Sequence, residues 1–138
     1  MHTGFRDQLL TSFREQGVRC TAQRYAILDY LNRHPEHPTA EEIHKAINRT
    51  DPRASLATVY KALHAMAEAG LIRELRIGGN AARFEAATVP HHHFVCDRCG
   101  QMEDIEWFEL PKLPKGVPSQ RRVTGYEVVL HGMCPACA

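Results

Sequence analysis

No apolar run in this chain approaches the roughly 20 residues that a membrane-crossing helix requires, and no charged-then-apolar leader pattern opens it. The sequence therefore predicts a cytoplasmic protein without a membrane partner. An excess of charge of one sign is also lacking: 17 Lys and Arg face 16 Asp and Glu, for a formal net charge of +1. That balance excludes the global basicity of a sequence-blind nucleic-acid binder, so any DNA contact must come from a local patch. Cysteine is sparse, at five of 138 residues. In a reducing cytoplasm these are read as metal ligands or packed thiols, not disulfides. There is no low-complexity segment and no repeat longer than a doubled Cys-x-x-Cys. What remains is ordinary globular composition, 43% hydrophobic and 24% charged, at a length suited to one domain or two small ones.

The first seventy residues carry helical periodicity. Phe5, Leu9, Leu10 and Phe13 form one apolar stripe that stops near Gly17. Thr21 is placed to cap a second helix bearing Ala26, Ile27 and Leu31, which must end before Pro35 and Pro38. Thr39 with Glu42 reads as a capping box opening a third helix that carries Ile43 and Ile47. Asp51-Pro52 closes it. Ser55 caps a fourth helix, "SLATVYKALHAMAEAG", with Gly70 in the C′ position. On that helix Leu56, Val59, Leu63 and Met66 make the buried stripe. Ala57, Thr58, Lys61 and His64 face outward, with Tyr60 at the edge. A small residue, a hydroxyl, an aromatic and a cation along the N-terminal half suit major-groove contact, where Thr and Tyr can touch thymine methyls and Lys can reach guanine.

The period then changes. "LIRELRIGGNAARFEA" holds two short runs around Gly78-Gly79-Asn80, a hairpin signal. Helices followed by a two-stranded hairpin is the order of a winged helix-turn-helix. "HHFVC", "QMEDIEW" and "YEVVLHGMC" read as strands, while Pro111, Pro114 and Pro118 leave little room for a helix between the last two. The fold class is therefore α+β, with a winged-helix domain over 1–87, a small second domain over 88–138, and the boundary within 86–90.

Cys96-x-x-Cys99 and Cys134-x-x-Cys137 each sit where a strand would end in a tight turn. Two such knuckles complete a tetrahedral sulfur site for structural zinc. A redox pair or unligated core cysteines are the alternatives, but a redox motif needs no second copy and no βαβ pattern surrounds either pair. Such a closed site does no chemistry. It supports a half of about fifty residues, near the size where a core alone is marginal. Cys20 is left over and is read as a small buried apolar residue. In a strand, His91 and His93 would share one face with Cα atoms about 6.6 Å apart, and His92 would take the other. Two same-face imidazoles can close on one ion with carboxylates from elsewhere, Asp104 being the nearest. The bland alternative is a solvated histidine run. His34, His44 and His64 read as surface or helix-face residues, and His131 as packing near the second knuckle.

Taken together, "GVRCTAQRYAILDYL", "HPTAEEIHKAI", "SLATVYKALHAMAEAGLI", "RFE", the HHH run leading into "CDRCG" and the terminal "CPAC" carry a name. From about Gly17 to Cys137 the chain resembles the ferric uptake regulator family, and within it the peroxide-responsive repressors. Manganese- and iron-responsive members are also similar. The resemblance implies a winged helix followed by a small α/β dimerisation domain with a four-cysteine zinc site. It implies a homodimeric transcriptional repressor, not an enzyme, that binds double-stranded operator DNA and takes no small-molecule substrate. Carried over by position, the regulatory metal set is His37, Glu85, His91, His93 and Asp104. That mixture suits Fe²⁺ or Mn²⁺ beside the structural zinc of each chain. The DNA-contacting set is Arg19, Arg24, Ser55, Ala57, Thr58, Tyr60 and Lys61, with Arg19 similar to the family's minor-groove cation and Arg24 to a phosphate contact.

Three departures from the family pattern bear on function. Glu85 stands where the peroxide-responsive subgroup carries Asp, which favours a manganese or iron uptake regulator without peroxide sensing as the alternative. No cysteine lies between Cys20 and Cys96, against a zinc-uptake regulator. The proline-broken stretch after Trp107, and the missing histidine on the next strand, argue against an additional metal site at the dimer interface. Outside the family, a metallohydrolase using His91 and His93 would lack a general base and leave the winged helix without a role. A zinc-stabilised protein-interaction module is the remaining rival.

Overall fold

The computed structural model describes residues 2–49, 54–76, 81–86 and 90–138, in two compact units, Met1–Thr88 and Val89–Ala138. The predicted closure at Asp51-Pro52, the turn Gly78-Gly79-Asn80 and positions 87–89 of the predicted boundary lie outside the described residues.

The N-terminal unit runs α1 (His2–Glu15), α2 (Ala22–Arg33), α3 (Ala40–Ile47), α4 (Leu56–Glu68), β1 (Ile72–Leu75) and β2 (Arg83–Ala86). Each of the last three helices begins on the predicted cap, which satisfies a first-turn N–H that no carbonyl can reach. Thr21 accepts from the Arg24 N–H, Thr39 from the Glu42 N–H and Ser55 from the Thr58 N–H. At the far end of α4, Gly70 takes φ +82°. This lets the Leu71 N–H reach the Met66 carbonyl at 2.9 Å and the Gly70 N–H reach Ala67 at 3.1 Å, the paired bonds of a Schellman stop. The end of α1 at Gly17 repeats the pattern, with Val18 bonded to Phe13 and Gly17 to Arg14.

These helices bury one continuous core. Leu9 and Phe13 of α1, Ile27 and Leu31 of α2, Ile43 and Ile47 of α3, and Val59, Leu63 and Met66 of α4 meet Ile72 and Phe84 of the hairpin. Two expectations need correction. Leu56 is half buried, and Ala62 joins the stripe on α4 instead, because the apolar face of the helix turns past its first residue. Cys20 is exposed, since it belongs to the connection ahead of the Thr21 cap and not to a helix face. β1 and β2 pair antiparallel with Arg73 opposite Glu85.

The C-terminal unit carries β3 (His92–Cys96), β4 (Met102–Ile105) and β5 (Val129–Gly132) in the order β4-β3-β5, with β4 antiparallel and β5 parallel to β3. Residues 106–128 between the last two strands form neither helix nor strand: Pro111, Pro114 and Pro118 exclude a helix over their own stretch, and the predicted strands are shorter than expected, ending at Ile105 and starting at Val129. The apolar interior is slight: among the described residues Val95, Met102, Cys96 and Cys134 are its buried hydrophobic ones. A sheet this small with so little core needs another source of cohesion.

Candidate metal centres and nucleic-acid interface

The four predicted cysteines converge within the C-terminal unit, with their sulfurs all inside 4.8 Å of one another. Cys96 ends β3, and the turn behind it closes through the Gly100 N–H on the Cys96 carbonyl at 2.9 Å, Gly100 taking φ +77°. The second knuckle closes through the Cys137 N–H on the Cys134 carbonyl at 3.0 Å. Cys99 Sγ and Cys134 Sγ are 3.8 Å apart. Zinc bound at about 2.3 Å to each sulfur of a tetrahedron would separate them by about 3.8 Å, so the donors fit the ion. The electrostatics point the same way. Backbone N–H groups of Cys99 and then Cys134 draw the Cys96 thiol down to about 6, while the neighbouring Cys134 thiol, with burial, pushes Cys137 up to about 12. One thiolate is welcome and a second is not, unless a cation is shared among them.

The histidine run divides as its alternation predicts. His91 lies just ahead of β3, and its ring meets that of His93 edge-on with centroids 4.7 Å apart. Asp104, opposite His93 in the β3–β4 register, places Oδ1 3.2 Å from His91 Nε2 and 3.7 Å from His93 Nε2. Two imidazoles and a carboxylate turned onto one point fit a borderline divalent cation.

His92 faces the other way and has a structural task that the sequence reading missed. It is fully buried. Its Nδ1 accepts the Val128 N–H at 2.9 Å, which leaves Nε2 to donate to the Phe108 carbonyl at 2.9 Å. Trp107 stacks on the ring at 4.3 Å and Phe108 meets it at 4.1 Å. The Leu110 N–H donates to the Tyr126 hydroxyl at 2.8 Å. One neutral imidazole thus fastens both ends of the irregular stretch 106–128. The signal was present in Trp107, Phe108 and Tyr126, but only tertiary structure brings them to one histidine.

Within the N-terminal unit, His37 and Glu85 come together. His37 lies in the connection between α2 and α3 at φ +62°, a conformation that costs a side-chain-bearing residue about 1–2 kcal/mol. It is held there: Arg83 donates to its carbonyl at 3.0 Å, and the Phe84 N–H bonds the Pro38 carbonyl at 2.9 Å. Its Nε2 is 3.1 Å from Glu85 Oε2, and Arg73 approaches the other oxygen at 3.4 Å. Both side chains of the His37–Glu85 pair are buried, where a polar group is costly unless partners such as these meet it. Arg73 was not singled out in the sequence; the β1–β2 register sets it opposite Glu85.

The remaining candidates lie on the N-terminal unit. Ala57 and Lys61 are exposed on α4, Thr58 and Tyr60 half exposed, and Ser55 exposed at the cap with its hydroxyl 2.8 Å from that of Thr58. Arg19 is exposed ahead of α2, and the Arg24 guanidinium donates to the Arg19 carbonyl at 3.0 Å, holding the connection that carries Arg19. His131, exposed, pairs with Asp97 at 3.3 Å and does not join the sulfur cluster.

Comparison with known proteins adds the following. The sequence pattern of the ferric uptake regulator family matches residues 15–133. The peroxide operon regulator of Bacillus subtilis (strain 168) is 39% identical over 136 residues, covering 95% of this chain and 92% of the relative. The peroxide-responsive repressor PerR of Staphylococcus epidermidis is 35% identical over 136 residues, covering 95% and 89%. Among solved structures, the Helicobacter pylori ferric uptake regulator superposes with a TM-score of 0.73 at 23% identity, over 95% of this chain and 89% of that one. PerR from Streptococcus pyogenes gives 0.54 at 26% identity, over 96% and 92%.

Proposed function

Since the chain belongs to the ferric uptake regulator family, we propose that it is a cytoplasmic, metal-dependent transcriptional repressor that binds operator DNA as a homodimer. The observation that carries this reading is the joining, in one chain, of a winged helix whose α4 turns a polar face outward with a unit bearing four grouped thiols and a His91–His93–Asp104 set. In this reading 1–87 is the DNA-binding domain and 88–138 the dimerisation domain. Cys96, Cys99, Cys134 and Cys137 hold a structural zinc. His37, Glu85, His91, His93 and Asp104 supply the regulatory Fe²⁺ or Mn²⁺ set, as the family resemblance implies. Arg19, Arg24, Ser55, Ala57, Thr58, Tyr60 and Lys61 meet DNA. Among the described residues every exposed large hydrophobic, namely Phe108, Leu113, Val123, Leu130 and Met133, belongs to the C-terminal unit, which supports its use in dimer contact. The relatives named above are regulators and repressors, and the metallohydrolase alternative is set aside on that ground.

Operator binding measured after mild chelation and re-addition of single metals tests this reading. The protein should retain its zinc, lose DNA affinity, and regain it with Mn²⁺ or Fe²⁺. His93→Ala should keep the zinc but fail to regain affinity with either metal. Metal-independent binding by the variant would remove His93 from the regulatory set.

The relatives' names add a response to peroxide. Fe²⁺ held there would supply a one-electron reductant for peroxide, and the imidazoles of His37 and His91 would be the oxidisable groups of the proposed set. The second reading, metal-uptake control without peroxide sensing, is favoured by Glu85, one methylene longer than the aspartate of the peroxide-responsive subgroup and engaged by Arg73 at 3.4 Å. Peptide mass spectrometry after peroxide treatment separates the two. Added oxygen on His37 or His91 in the iron-loaded protein and not in the manganese-loaded one, with loss of DNA binding, selects sensing. Unmodified histidines with intact binding select uptake control.

A further inference from the structure

Glu41 and Tyr60 come from different helices of the N-terminal unit. Glu41 lies in the first turn of α3, where unpaired backbone N–H groups favour a carboxylate. Tyr60 lies early in α4, its ring packed in part against the core. The Tyr60 hydroxyl donates to Glu41 Oε1 at 3.1 Å, a charge-assisted bond made on an exposed surface. The His64 ring stands 6.3 Å away on the same helix. The core on one side and the carboxylate at the tip both hold the ring in the orientation seen. The phenol proton is held more firmly as well: hydrogen bonding to Glu41, ahead of burial, raises its pKa.

We propose that Glu41 is a specificity-determining residue for DNA reading, because by accepting the Tyr60 hydroxyl it reserves the Tyr60 ring for a base pair and withholds the hydroxyl from phosphate. This rests on the proposed use of α4 in operator binding. A free phenol donates to phosphate oxygens wherever it lands, and such contacts carry no sequence information. A ring fixed in direction offers its apolar edge to a thymine methyl, which distinguishes base pairs. The Glu41 carboxylate repels the phosphates of any duplex alike, so it lowers operator and random affinity together and leaves preference to the ring that it orients.

The test uses the zinc-containing, manganese-loaded full chain. A duplex enriched by the wild type from a random-sequence pool is compared with a scrambled duplex of the same composition. Glu41→Ala, which exchanges an exposed residue for a strong helix former, should lower the enriched-to-scrambled affinity ratio by about ten-fold while scrambled affinity holds or rises. Glu41→Gln keeps an amide oxygen for the phenol and should retain most of the ratio. Tyr60→Phe loses the bond that orients the ring and should lower the ratio too, through weaker enriched binding with scrambled affinity unchanged. The ratio of the double variant should fall no further than that of Glu41→Ala, because the two residues act as one unit. Additive losses, or equal losses on both duplexes, overturn the proposal. So does a preference lost at a C·G pair in Glu41→Ala but kept in Tyr60→Phe, which would make Glu41 a direct base contact. If the wild type enriches no sequence, the DNA-binding reading fails and this inference with it; if it does and both single variants keep the ratio, this inference fails alone.

Discussion

At the scale of single residues, burial and partner geometry separate neighbours of identical chemistry. His91, His92 and His93 are consecutive imidazoles, yet the strand alternation turns two toward Asp104 and one toward Trp107, Phe108 and Tyr126. His92 should therefore matter for stability and not for metal response. His92→Phe keeps an aromatic ring for stacking but removes the part-buried hydrogen bonds to the Val128 N–H and the Phe108 carbonyl, at roughly 1 kcal/mol for each. Urea unfolding of the zinc-loaded protein should show that loss, with zinc content unchanged. Stability equal to wild type would mean that the imidazole does not fasten the stretch 106–128. Sequence alternation placed His92 opposite its neighbours, but it could not show what waited on that side.

At the scale of elements, the fourth helix illustrates how far local signals reach. Ser55, Gly70 and the apolar spacing of Val59, Leu63 and Met66 define its start, stop and buried face without tertiary information. Its outward face is defined only by subtraction, and the structure refines it by turning Leu56 partly outward and Ala62 inward. Lys61 is the exposed cation on that face. Lys61→Ala should weaken operator binding by roughly 1–3 kcal/mol and relax base preference at one position of each half-site if Lys61 reads a base edge. Titrations on operator and scrambled duplex at several salt concentrations decide this. A uniform loss on both, with a shallower salt dependence, would reassign Lys61 to a phosphate. The connection that carries His37 behaves differently from a helix. Its left-handed backbone is held by Arg83 and Phe84 of β2, some 46 residues away in sequence, and no local signal announces it.

At the scale of the whole molecule, the two units are stabilised by different means. The N-terminal unit has a continuous apolar core drawn from four helices and the hairpin. The C-terminal unit has few buried apolar residues and four thiols in their place. Cys96 accepts backbone N–H groups from both knuckles, Cys99 at 3.5 Å and Cys134 at 3.4 Å, so it ties them together even before a metal is counted. Cys96→Ser should cost zinc, and with it the fold of residues 89–138 and any dimer they form, since the binding free energy of a structural zinc is folding free energy. Limited proteolysis and sedimentation would show the C-terminal unit cleaved and the assembly lost, while the N-terminal unit keeps its helical signal. A well-folded variant without zinc would show that the sheet stands without the site.

The sequence by itself determined the helices, the hairpin, the two thiol knuckles and the split of the histidines. Capping, periodicity and two-residue knuckle spacing are local, and each is written within a few residues. Tertiary structure alone decided which side chains converge: Arg73 on Glu85, Glu41 on Tyr60, the two knuckles on each other, and three aromatic residues on His92. Those meetings depend on strand register and helix packing between segments far apart in the chain, where a single-residue slip would turn the same side chains to opposite faces.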